Sequence, residues 1–153
     1  MYVEGRSSFG NNVEVSVLNE TGGREVPIYN GLSASLAYLI ALYRHRPALI
    51  LRLQAMIADF AERQTGNYGF IGNHVKIINT GTVRNTVIAD YATVENCTRL
   101  DNGTVNSNVN APVYIGDSVI AEDFIISSGA VVADAAKIIS CFIGQACHVT
   151  HNF

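Results

Sequence analysis

From Ile71 onward an aliphatic residue returns at every sixth position: Ile71, Ile77, Val83, Ile88, Val94 and Leu100, then Ile115, Ile120, Ile126, Val132, Ile138, Ile143 and Val149. Two positions after most of these stands a short polar residue, as at Asn73, Asn79, Asn85, Asn96, Asp134 and His151. Four positions after stands something small or apolar, as at Val75, Ala92, Val119, Phe124, Ala136 and Phe153. The period contracts by one residue at Val83 to Ile88, Ile115 to Ile120 and Ile138 to Ile143. Such a period suits neither an amphipathic helix nor the two-residue alternation of a meander. It suits a solenoid of short strands and sharp corners, with the aliphatic ladder inside and Asn, Asp or Gly at corners that need positive φ. Stacked coils then supply one another with the core that no single coil could build.

Upstream, Phe9 to Glu20 reads FGNNVE and VSVLNE, two further hexapeptides with Asn11 in the corner register, so the pattern predicts that the solenoid starts there. Thr21 to Gly31 is rich in turn residues; Gly22-Gly23-Arg24 reads either as a turn leaving that coil or as a cradle for a phosphate. Between Leu32 and Arg63 the period becomes helical. Ser33 or Ser35 can cap a first helix carrying Leu36, Leu39, Ile40 and Tyr43 on one face. Pro47 can open a second, with Leu49, Ile50, Leu53, Met56, Ile57 and Phe60 on one side and Gly66 as its stop. The chain thus divides into an N-terminal coil and turn (1–31), a helical hairpin (32–66) and the repeat region (67–153). The hairpin's apolar stripes must be covered, by the solenoid or by a neighbouring subunit. Asn106 to Pro112, NSNVNAP, interrupts the repeat as an irregular coil or a loop leaving it.

Composition narrows the class. Of 153 residues 48% are hydrophobic and 15% charged, which argues for a folded chain; a net charge of −3 gives no electrostatic footprint for nucleic acid. No apolar run is long enough for a membrane span, and the start MYVEGRSSFG lacks the apolar core of a secretory leader. Cys97, Cys141 and Cys147 have no metal-type spacing and read as packing residues in a reducing, cytoplasmic compartment.

The runs IGNHVK, IGDSV, ISSGAV, VADAAK and IGQACH resemble the hexapeptide repeat of the left-handed parallel β-helix superfamily, the fold of many bacterial acyltransferases. The fold class expected is therefore mainly β, a left-handed parallel β-helix with an α-helical hairpin inserted near its N-terminus. The combination of VEVSVLNETGGREVPIY, the helical pair and the repeats resembles an uncharacterised family of larger bacterial proteins loosely described as acyltransferase-like. With Phe153 in an inward position and no capping segment behind it, the chain reads as a fragment of such a protein.

A narrower resemblance lies at the end. His148-Val149-Thr150-His151-Asn152 is similar to the His-(Ile/Val)-small-His-(Asp/Asn) segment of hexapeptide acyltransferases acting on nucleotide-linked or lipid-precursor sugars. The resemblance implies His151 as general base; His148 is a second catalytic candidate, to orient the substrate or contribute a hydrogen bond, and Asn152 a substrate-binding one. A neutral imidazole can take the proton of an attacking sugar amine or hydroxyl near neutral pH. It further implies acyl-CoA as co-substrate with no resident cofactor, a sugar or sugar nucleotide as acceptor, and a homotrimer with sites between subunits. Arg44 and Arg46, in the basic bend around His45, are candidates for a substrate phosphate or a solvated corner. His151 can equally be one more polar corner residue. Two other readings stay open: a non-catalytic scaffold or oligomerisation module, and a γ-class carbonic anhydrase-like zinc site using His74 with His148 and His151.

Overall fold

The computed structural model describes residues 5–16 and 22–151. Its repeat region is a parallel β-solenoid of about five coils. Two five-stranded parallel sheets run along it. One is built from β4 (Lys76–Ile78), β6 (Thr93–Glu95), β8 (Tyr114–Ile115), β10 (Val131–Ala133) and β12 (His148–Thr150). The other contains β3 (Phe70–Ile71) and four seven-residue strands, β5 (Thr82–Ile88), β7 (Arg99–Val105), β9 (Ile120–Ile126) and β11 (Lys137–Ile143). Each long strand bends at one residue of positive φ that the ladder register skips: Asn85, Asn102, Asp123 and Ser140. A bend there turns one strand into two sides, so every complete coil has three.

The register advances 17 residues per coil, as from Ile71 to Ile88 and from Val132 to Val149. Three sides of six residues would need one residue more, and the missing one is always lost at the same bend. The contraction therefore recurs at Val83 to Ile88, Leu100 to Val105, Ala121 to Ile126 and Ile138 to Ile143. This corrects the expected slip at Ile115 to Ile120: Ala121, fully buried, pairs with Leu100, while Ile120 is only half-buried. Across the bend the second inward residue comes three positions on, not four, giving the column Thr86, Gly103, Phe124 and Cys141. Between Val94 and Ile115 the step is 21, because the segment 106–112 adds residues to the third coil.

The ladder Ile88, Val94, Leu100, Val105, Ile115, Ile126, Val132 and Ile138 is almost wholly removed from water. Corner side chains bond along the axis: Asn79 Nδ2 donates to Asn96 Oδ1 (2.8 Å) and Asn96 Nδ2 to Asp117 Oδ1 (2.7 Å). The expected corner residues Asn79, Asn85, Asn96, Asn102, Asp134, Ser140 and His151 do hold positive φ. At the remaining corner the positive φ falls one residue later, on His74, Tyr91, Gly129 and Ala146.

Residues 17–20 of the expected hexapeptides lie outside the described residues, and the described part, 9–16, is not a solenoid coil. β1 (Val13–Ser16) pairs antiparallel with β2 (Glu25–Ile28), Val13 opposite Ile28, and β1 lies against β11 on the outside of the solenoid. The preceding residues are tied to the bend of β7: Ser7 Oγ donates to Asn102 Oδ1 (2.8 Å), and Thr104 Oγ1 donates to the carbonyl of Phe9 (2.7 Å). Gly10 makes this approach possible, since a Cβ there would stand 2.5 Å from the Phe124 carbonyl oxygen. The cover explains why Ile125, whose neighbours Phe124 and Ile126 point inward, is itself fully buried.

Helix α1 (Ala34–Leu42) is capped by Ser33, whose Oγ accepts from the Leu36 N–H (3.2 Å). Helix α2 (Pro47–Gln64) opens on Pro47 and ends at Thr65, not at Gly66; Gly66 instead bridges to Ser7 through paired backbone bonds of 3.0 Å. The helices cover the hairpin rather than the solenoid ladder: Ile40, Ala41 and Ile57 share a separate small core with Val26 of β2. Tyr29 meets Phe60 edge-on at 5.3 Å. Leu49 and Met56, expected on the packed face of α2, are exposed.

Candidate functional site

Two places carry candidate chemistry, and they lie on different corners of the solenoid. The first is a cleft of about 860 Å³, between the start of α1 and the corner that follows the bent sheet. Residues 30–34 and Ala37 form one wall. The other is a column repeated coil by coil: Ala89, then Asn106 to Asn108, Ser127 and Ser128, and Gly144 and Gln145, with Phe142 beside them. Asn106 Nδ2 donates to Asn30 Oδ1, and Asn30 N–H donates to Asn11 Oδ1 (2.8 Å), so the two walls are bonded to each other. The interrupting segment is folded tightly against the column. Ser107 Oγ accepts from the Val113 N–H (3.0 Å), and Asn108 Oδ1 accepts from the Asn110 and Ala111 N–H groups (3.0 Å each). Val109 is exposed.

The second place is the last described coil. His148 lies on β12 opposite Val131, and His151 occupies the next corner at φ 51°; both are exposed. His151 continues the column Asn79, Asn96, Asp117, Asp134, and its N–H donates to the Asp134 carbonyl (3.2 Å). A carboxylate residue is thus its neighbour one coil back, a coil spacing of about 4.8 Å away along the axis. The same stretch of surface is acidic. Partial desolvation, and then the carboxylates of Glu95, Asp117 and Asp134, hold the Tyr114 phenol above its usual value.

The chain matches, over residues 1–153, the model of the family described as "Domain of unknown function (DUF4954)". It belongs to that family. It is also similar to an uncharacterized protein of Treponema pallidum (strain Nichols), 29% identical over 117 residues that make up 76% of this chain. Those residues cover 16% of the relative, so the chain spans a small part of that protein's length. No solved structure matches it.

The other residues singled out in the sequence fall elsewhere. Arg44 turns to the hairpin, its Nη2 donating to the Glu25 carbonyl (2.5 Å), while its buried Nε has no partner among the described residues. Arg46 is the exposed residue ahead of α2, and neither arginine lines the cleft. Asn152 lies outside the described residues. The Gly22-Gly23 passage is a turn whose Gly23 N–H is taken by the Glu25 carboxylate (2.6 Å). That bond, the Glu25 N–H and then Arg44 hold the carboxyl below its usual range. His74 stacks on Tyr91 at 4.9 Å in the first coils, far along the axis from His151. Among the described residues no group of three His, Cys, Asp or Glu side chains is placed to hold a metal ion. Burial pushes the Cys97 thiol up to about 11, and its Sγ lies 3.2 Å from the Val119 carbonyl, as suits a packing residue; Cys147 is exposed. No helix among the described residues is long and apolar enough to cross a membrane.

Proposed function

We propose that the chain is part of an acyltransferase-like protein that moves an acyl group from acyl-CoA to an amine or hydroxyl of a sugar or sugar nucleotide. His151 is the general base of this reading. The observation that carries it is the setting of that residue: exposed, fixed in backbone by a left-handed corner, and stacked directly after Asp134 in the corner column. A base must reach solvent-delivered substrate and needs an orienting partner for its second ring nitrogen; in this reading Asp134, one coil back and joined to His151 through its backbone carbonyl, is the residue to fill that role. His148, three residues earlier on the same coil, and Asn152 contribute to the acceptor, and a homotrimer with sites between subunits in a cytoplasmic setting belongs to the same reading. Acyl transfer proceeds as the acceptor's lone pair attacks the thioester carbonyl, the imidazole takes the acceptor's proton, and the thiolate of CoA leaves with a proton returned to it.

The competing reading is a scaffold or oligomerisation module. It is favoured by the open first coil, where the ladder residues Ile71 and Ile77 are exposed at 46% and 39%. Turnover of acetyl-CoA with a panel of amino sugars and sugar nucleotides separates the two. The expected result is thiol release that His151→Ala abolishes and Asp134→Asn reduces, with sedimentation velocity reporting a trimer in both variants. Undiminished release in His151→Ala would sink the catalytic assignment and leave the scaffold.

A further inference from the structure

The corner cleft is built differently from the histidine coil, and its chemistry is that of a ligand without charge. Among the described residues lining it there is no Asp, Glu, Lys, Arg or His. Guanidinium and ammonium groups, the side chains that hold a phosphate or carboxylate, are absent, and the anion-favouring start of α1 is already engaged, its Leu36 N–H by Ser33 Oγ and its Ala37 N–H by the Ser33 carbonyl. What the cleft does offer is amides and hydroxyls set in register. The solenoid stacks Asn106 on Ser127, and Ser128 on Gln145, at coil intervals of roughly 4.8 Å, with Ser107 and Asn108 of the inserted segment beside them. Amides and hydroxyls present donor and acceptor side by side, which is the demand of adjacent sugar hydroxyls that both give and accept. Asn106 Nδ2 and Asn108 Oδ1 are engaged by the protein, whereas Asn106 Oδ1, Asn108 Nδ2 and the Gln145 amide hold no hydrogen bond to other described residues. Phe142 and Leu32 add apolar surface of the kind that covers the C–H face of a pyranose ring. The volume, about 860 Å³, is that of a small-molecule site.

We propose that this cleft binds a neutral saccharide and discriminates against sugar nucleotides, CoA and other phosphorylated ligands. The inference is independent of His151: it assigns a binding site on another corner, made only when the N-terminal hairpin and α1 are docked on the coils. Two walls joined by the Asn30–Asn106 bond also imply that the cleft is preformed.

The experiment is saturation-transfer NMR on the intact chain with a panel of neutral mono- and disaccharides, UDP-N-acetylglucosamine and acetyl-CoA as separate probes, followed by titration of the strongest neutral binder. Gln145→Ala removes an exposed amide with no structural bond, and Ser128→Trp fills the cleft from a half-buried corner. A thermal melt of each variant confirms that the fold is retained. The expected outcome is saturation transfer to a neutral sugar, about tenfold weaker binding in Gln145→Ala and none in Ser128→Trp. The inference is overturned if no neutral saccharide binds, if binding survives in a folded Ser128→Trp, or if a phosphorylated probe displaces the neutral sugar from the same site. Saccharide binding without any thiol release supports this site while counting against the catalytic reading, so the two fail separately.

Discussion

Gly103 and Phe124 are neighbours in the inward column of the bent sheet, and their sizes are matched. A Cβ placed on Gly103 would stand 2.3 to 2.5 Å from three atoms of the Phe124 ring, which is fully buried and has nowhere to withdraw. Gly103→Ala should therefore overpack the third coil, at a cost of about 3 kcal/mol, the upper end for an added methyl in a closed core. Phe124→Ala should cost about 3–5 kcal/mol through lost burial and the cavity it leaves. The decisive quantity is their coupling. Once the ring is gone the three closest contacts of the methyl added by Gly103→Ala go with it, and alanine in a strand interior is favoured over glycine by about 0.5–1 kcal/mol. Gly103→Ala should thus be destabilising in the native background and stabilising in Phe124→Ala, a change of sign. Urea unfolding of the four proteins of this cycle measures it, with melting temperature as a second readout at roughly 2–4 °C per kcal/mol for a chain of this size. An equal loss from Gly103→Ala in both backgrounds would refute the packing argument.

Further tests address the corners, the thiols and the arm. Asn96 holds φ 52° and bonds to Asn79 and Asp117; Asn96→Gly should lose only those exposed bonds, and Asn96→Ala should cost about 1–2 kcal/mol more because alanine resists the left-handed region, as urea midpoints will report. Cys97 is desolvated, so its thiol stays protonated in the fold while the unfolded thiol ionises near 9.0; stability from this group is complete at neutral pH and lost as pH climbs toward about 11. Maleimide labelling at mild alkaline pH should accordingly reach exposed Cys147 and spare Cys97 until denaturant is added. Gly10→Ala, at φ 83° and facing the Phe124 carbonyl, should release the N-terminal arm from the solenoid, seen as faster amide exchange at Ser7 with the coil ladder still protected.

What the sequence alone determined is the repeat region and the two helices, because both rest on local periods. An aliphatic ladder at every sixth position has one economical burial, and Ile88, Val94, Leu100 and Val132 take it. The cap at Ser33 and the opening at Pro47 are equally local, and both appear as read. What only the tertiary structure decided is where segments pair and what covers the outside. VEVS suits a solenoid coil as well as a hairpin strand, since alternation is common to both; its partner EVPI lies nine or more residues on, and pairing across that separation depends on contacts no period encodes. The frame slip at Ile120 has the same origin. Ile120 and Ala121 are both apolar, and only the bend at Asp123, shared with Asn85, Asn102 and Ser140, selects the smaller one for the ladder. The cleft was visible in sequence merely as an interruption at 106–112. Asn30, Asn106, Ser128 and Gln145 are far apart in the chain, and it took coil stacking and the docked hairpin to bring their neutral polar groups to one place.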